Sequence, residues 1–206
     1  MKISISERFK NINIKEYYAE SPEAYRSFWQ DLCRKYPGYE ADFIYRNCEP
    51  PADFIAEIKA ELLEILLISD LVPENFNPAS TTGTIPITTD NFSTFAPIHD
   101  ATSPEEFKSS ASLAADIARW RIFMHGNAYI IVFWGETPEV FDLAISNAEE
   151  GASLLTAAAR LAFEDGKAAL DFYIDHDNPT QLEAARKVGF VVSGKSVAYQ
   201  VKELCS

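Results

Sequence analysis

Between Pro73 and Thr84 (PENFNPASTTGT) the chain loses every regular period: Pro, Asn, Ser, Thr and Gly crowd together, and each favours a turn over a helix or strand. No periodic element can run through such a segment. The fold is therefore expected in two parts, an N-terminal α/β extension over residues 1–78 and a larger domain over 84–206. With 47% hydrophobic and 24% charged side chains in 206 residues, the composition is that of a folded globular protein. No apolar run approaches the roughly 18 residues of a membrane span, and Ala128–Trp134 is only of strand length. The first residues, MKISISERFK, carry no apolar signal-peptide core. A soluble, cytoplasmic protein with no membrane partner is the expectation. Cys33, Cys48 and Cys205 are too few and too scattered for a disulfide framework or a metal cluster, so no metal is expected. The net charge of −13 sets 18 Lys and Arg against 31 Asp and Glu with no basic stripe, which argues against a nucleic-acid partner.

In the first part, Ile3–Ile14 contains strand-like residues, and Ser21-Pro22-Glu23 has the pattern of a helix start. That helix would turn Phe28, Trp29, Leu32 and Cys33 inward and stop near Pro37-Gly38. Asp42–Arg46 reads as a strand. Pro50-Pro51 opens a second helix with Phe54, Ile55, Ile58, Leu62 and Leu63 at helical spacing. The apolar run Glu64–Leu71 fits either the end of that helix or a strand.

In the second part, Ile85–Thr88 reads as a strand and Asp90–Ile98 as a helix halted near Pro97. Ser103-Pro104-Glu105-Glu106 has the form of a helix start leading to about Trp120. Arg121–Met124 and Asn127–Trp134 suit a hairpin across His125-Gly126, and Glu139–Ile145 a further strand. A helix over Gly151–Phe163, a strand over Ala168–Ile174 and a helix over Pro179–Val188 closed by Gly189 follow. Phe190–Val201 is strand material, expected to be split near Gly194. The order predicts an α/β (α+β) domain with a mixed central sheet flanked by helices.

This order, with NPTQLEAARKVGF at residues 178–190 and GASLLTAAARLAFEDGKAALDFYI at 151–174, resembles the GNAT (Gcn5-related N-acetyltransferase) family. Thr88–Ser110 is similar to the family's two opening helices, so the resemblance spans residues 84–206. It implies a GNAT-like acyl-CoA N-acyltransferase fold in which the fourth and fifth strands splay and grip the pantetheine arm of acetyl-CoA, or another acyl-CoA, as cosubstrate. By that resemblance Leu143, Ala144 and Ile145 would line the arm, with Asn178 on its other side. Glu150, Gly151, Ala152 and Ser153 would form the helix start facing the pyrophosphate. The family's loop has spaced glycines where this chain has Ser146-Asn147-Ala148-Glu149-Glu150-Gly151, and the family's frequent Tyr acid falls on Ala185. The first 82 residues fit either a degenerate half-repeat, as in tandem members, or an unrelated α/β extension.

The implied function is direct acyl transfer, through a tetrahedral intermediate, to a small-molecule or peptide amine; the alternative is a catalytically inactive GNAT-fold binding or assembly module. Two side chains suit the proton transfer: Glu139 at the head of the fourth strand, and His99 in the loop between the opening helices. Against each stands a plain role, as a strand-edge carboxylate and as a loop histidine bonded locally. Gly189–Ser196 spells a P-loop, yet strand-forming residues follow where a phosphate-binding helix must start, so the match carries no function. The oligomeric state is not legible.

Overall fold

The structure, a computed structural model, describes residues 2–7, 10–48, 50–102 and 109–204. It divides into two compact units, one of residues 1–67 with 194–206 and one of residues 68–193.

In the first unit, strands β1 (Lys2–Ser6) and β2 (Asn11–Lys15) form an antiparallel pair. β2 runs parallel to β3 (Glu40–Arg46), which pairs antiparallel with Ser196–Val201 of the last strand, β10 (Val191–Val201). The period of two is plain: Ile12 and Ile14 of β2 and Ala41, Phe43 and Tyr45 of β3 point inward and are buried. Helix α1 (Pro22–Lys35) starts as expected, with the Ser21 hydroxyl accepting from the Ala24 N–H at 3.2 Å. Phe54 of the short helix α2 (Ala52–Glu57) stacks on Tyr25 at 4.7 Å and meets Phe43 edge-on at 5.5 Å. Burying rings of this size contributes roughly 1.5–3 kcal/mol each. Cys33 is disulfide-bonded, and Cys48 is a free thiol.

The second helix ends earlier than its apolar spacing suggests. Lys59 takes a φ of 55°, a left-handed turn made without glycine, and Leu62 and Leu63 pass into strand β4 (Glu61–Leu71), where they are 54% and 49% exposed. The run 64–71 is therefore strand. β10 is also unbroken through Gly194. A Cβ there would lie 1.9 Å from the Asn47 side chain, whose oxygen accepts the Lys195 N–H at 2.9 Å, so this glycine permits a close approach within a strand rather than a turn.

The second unit holds β5 (Thr84–Ile87), β6 (Trp120–His125), β7 (Ala128–Phe133), β8 (Glu139–Ala144) and β9 (Leu170–Asp175), hydrogen-bonded in the order β9-β8-β7-β6-β5. Pairing is antiparallel from β5 to β8 and parallel between β8 and β9, which makes the sheet mixed. Helices α3 (Phe92–Thr102), α4 (Ser110–Ala115), α5 (Ala148–Glu164) and α6 (Pro179–Val188) flank it. The β6–β7 hairpin turns at Gly126, φ 61°, as expected.

Three boundaries differ from the sequence reading. Helix α3 continues through Pro97 to Thr102, accepting the loss of one backbone donor. The expected helix start at Ser103–Glu106 lies outside the described residues, and α4 is a short helix that is followed by a 3₁₀ turn at Ile117–Arg119 before β6. Helix α5 begins at Ala148, three residues before Gly151.

The Pro73–Thr84 segment is strapped down rather than loose. The Asn77 N–H bonds the Val188 carbonyl at 2.8 Å and the Ala79 N–H bonds the Thr156 hydroxyl at 3.0 Å. Gly189 closes α6 at φ 103°, with the Asn75 carbonyl packed where a Cβ would stand. Downstream of α3, Asp100 accepts from both the hydroxyl (2.6 Å) and the N–H (2.8 Å) of Ser110. Those bonds hold its carboxyl below the usual carboxylate range. A depressed folded pKa means stability present above the unfolded value of about 3.9 and lost as pH falls through the folded one. Allowing for its exposure, Asp100→Asn is expected to cost about 0.5–1 kcal/mol at pH 7. The deficit should vanish in urea melts near pH 2, and a pH-independent difference would contradict this assignment.

Candidate functional site

The site begins with an irregularity in one strand. Facing β7, Val140 of β8 sits opposite Val132 and Asp142 opposite Ile131, so Phe141 is an extra residue, a β-bulge. A bulge bends its strand and increases the local twist. On its other edge β8 pairs with β9 only at Glu139↔Asp171 and Val140↔Phe172, and the register stops where the bulge begins. From there the two strands run on separately, to Ala144 and Asp175.

Beyond the parting lies a cavity of about 710 Å³. Its walls are Leu143–Ser146 at the end of β8, Pro97, Ile98, Ala101 and Thr102 of α3, Asn127 and Ala128 at the start of β7, and Asn178, Thr180 and Gln181 at the start of α6. Gln181 donates its amide to the Leu143 carbonyl at 2.7 Å, inside the strand gap. Asn178 caps α6 by accepting the Gln181 N–H at 3.0 Å.

Leu143, Ala144, Ile145 and Asn178 thus meet at one cavity, while the other expected residues lie elsewhere. Glu139 stands in the zipped part of β8, four residues and about 13 Å along the strand from Leu143. Gly151, Ala152 and Ser153 are buried within α5 rather than at its start. Gly151 is needed for packing, since a Cβ there would come within 2.6 Å of the Ala184 Cβ and 2.8 Å of Ile145. Ser153 donates to the Ser80 carbonyl at 2.6 Å, a bond that ties α5 to the strap. The helix start is formed by Asn147, whose side chain accepts the Glu150 N–H at 3.0 Å. Glu150 in turn accepts the Ser146 N–H at 3.0 Å. Glu149 pairs with Lys187 at 2.7 Å and holds the lysine pKa above its ordinary value. Ala185 is buried and is not among the residues lining the cavity.

His99 lies within α3 rather than in a loop and is fully buried, stacked on Phe95 at 5.1 Å. Its Nδ1 is 3.0 Å from the Tyr129 hydroxyl, which donates to Asp142 at 3.1 Å and lies 2.7 Å from the Thr102 hydroxyl. Thr102 is on the cavity wall, so a chain of polar atoms leads from the cavity to an imidazole and a carboxylate. Tyr129, Asp142 and Thr102 were not singled out in the sequence. Asp142 alone had a signal there, as an acid within an apolar strand.

The same fold occurs in solved structures. The chain superposes on a GCN5-related N-acetyltransferase from Sphaerobacter thermophilus with a TM-score of 0.64 over 97% of this chain and 75% of that one, at 11% identity. The chain has the GNAT fold. A tandem GNAT protein from the clavulanic acid biosynthesis pathway matches with a TM-score of 0.62 over 97% of this chain and 77% of the other, at 13% identity. A GCN5-related N-acetyltransferase from Kribbella flavida gives 0.58 over 95% and 83%, at 12%. No protein-family model matches the sequence, and no curated protein does. Among the strands β5–β9 of this unit, β8 and β9 are the fourth and fifth. Among the described residues no helix is long and apolar enough to cross a membrane.

Proposed function

We propose that residues 68–193 form an acyltransferase unit that moves an acyl group from acetyl-CoA, or another acyl-CoA, directly to an amine of a small molecule or peptide. The observation that carries this reading is the end of β8–β9 pairing at Val140. It leaves the Leu143–Ile145 backbone beside a cavity, where main-chain groups can bond the amides of a pantetheine arm as a strand would. The amine nitrogen would attack the thioester carbonyl, the tetrahedral intermediate would collapse, and the thiolate would leave. No Cys or Ser is assigned a covalent role. The amine proton would pass to the Thr102 hydroxyl as Thr102 gives its own to Tyr129 and Tyr129 gives its own to Asp142. His99, behind Tyr129, would keep that hydroxyl in place. This route stands nearer the cavity than Glu139 does.

Calorimetry with acetyl-CoA and CoA tests the donor. Heat with a micromolar dissociation constant is expected, and no heat at millimolar ligand ends the reading. An amine screen by thiol release then identifies the acceptor. With that acceptor, Tyr129→Phe is expected to lower turnover about 10²-fold with donor affinity unchanged. A wild-type rate would remove the relay.

The second reading, a fold that binds or assembles without catalysis, is favoured by Glu149 and Glu150 at the α5 start and by Ala185 in place of an acid. It predicts donor binding or none, and no thiol release with any amine. For residues 1–67 with 194–206, the parallel β2–β3 pair joined through α1 supports descent from a second copy, as in the tandem protein matched above. The protein is expected to work in the cytoplasm without metal or nucleic acid.

A further inference from the structure

Resting on the acyl-donor reading above, we propose that this cavity recognises its donor by the neutral pantetheine arm, with the phosphates adding little. Its ligand class is then pantetheine thioesters, whatever the arm is attached to. In an acyl-CoA the negative charge resides on the phosphates, and the arm is uncharged, with two amides and a branched apolar section. A helix start holds phosphate through unsatisfied backbone N–H groups and positive potential. Near this cavity several of those resources are taken by the chain itself.

The Ser146 N–H is bonded to Glu150, the Glu150 N–H to Asn147, and the Gly151 N–H to the Asn147 carbonyl at 3.3 Å. Glu149 and Glu150 add two carboxylates to the first turn of α5, where they already occupy the favourable end of the helix dipole. The ammonium of Lys187 is held by Glu149 at 2.7 Å and by Glu183 at 3.7 Å. A diphosphate arriving here would have to displace carboxylates that make the same bonds.

The arm meets neutral groups instead of carboxylates. Ile98, Ala101 and Ile145 offer apolar wall, and Asn127, Asn178 and Gln181 offer carboxamides. The Gln181 amide bonds the Leu143 carbonyl as an arm N–H would, so the gap holds an acceptor already shown to take an amide donor. Rotation of that one side chain would free it for the ligand.

The test is titration calorimetry of the full chain with CoA, dephospho-CoA and pantetheine, for wild type and for Glu149→Gln with Glu150→Gln. In wild type the three dissociation constants are expected to agree within about threefold and to stay flat with added salt, because few charges are engaged. In the double variant CoA is expected to tighten about tenfold, with pantetheine unchanged. Wild-type CoA binding more than about thirtyfold tighter than pantetheine, and weakening with salt, would overturn the inference while leaving the acyl-donor reading intact. Failure of all three to bind either protein would remove that reading itself.

Discussion

Gly189→Ala is expected to destabilise the protein by about 3 kcal/mol or more, lowering the melting temperature by about 6–12 °C. Two costs combine. The residue holds φ 103°, where an L side chain is strained, and the new Cβ would stand 1.9 Å from the Asn75 carbonyl oxygen. Backbone on that side cannot swing away as a flexible side chain can, because Asn77 is bonded through its N–H to Val188 and through its side chain to the Lys187 carbonyl. Gly166→Ala is the internal control. It shares a left-handed φ of 73°, but nothing lies within 4 Å of its would-be Cβ, so only the conformational cost of about 1 kcal/mol applies. Equal losses in the two variants, read by thermal or urea melts, would show that the Asn75 contact is unimportant.

Deleting Phe141 is expected to abolish acetyl-CoA binding, with affinity falling at least about thirtyfold, or roughly 2 kcal/mol. The deletion is mild for the β7–β8 ladder. Val140 already meets Val132 and Asp142 already meets Ile131, so removing the residue between them restores a regular register and reverses no side chain. A straightened β8 is then free to continue pairing with β9 past Val140, which closes the gap. Phe141→Ala keeps the bulge and loses only the ring, which packs on Trp120 at 5.0 Å. That variant should lose some stability and still bind. Binding by the deletion variant, or loss of binding in both, would separate the cavity from the bulge and sink the explanation given for the strand gap.

The sequence carried the order of elements in 84–206 because each signal there was local. A Pro-opened, Gly-closed α6, a Gly-turned hairpin and the apolar stripe of α5 all act over a few residues. Leu62 and Leu63 misled because helical spacing and a strand entry look alike when the helix is stopped by Lys59, a residue with no turn signature. Pro97 misled in the other direction, since tertiary packing outweighed one missing donor. Of the candidate site, the β8 residues and Asn178 were legible through their place in the order. The bulge was not, because it exists only relative to β7. Tyr129 and Thr102 are ordinary in sequence and become a polar chain only when α3 is laid beside β7. Gly151 looked like a phosphate-loop glycine, and its true constraint, Ala184, lies on another helix.

The burial of His99 has a practical consequence. An imidazole kept from water and bonded to a phenol exchanges its ring proton slowly, so its nitrogen-bound hydrogen should give a resolved magnetic-resonance signal at room temperature. Because Tyr129 joins that ring to Thr102 on the cavity wall, the frequency of this signal should move when the cavity fills. The protein thus holds an internal probe of occupancy that needs no label.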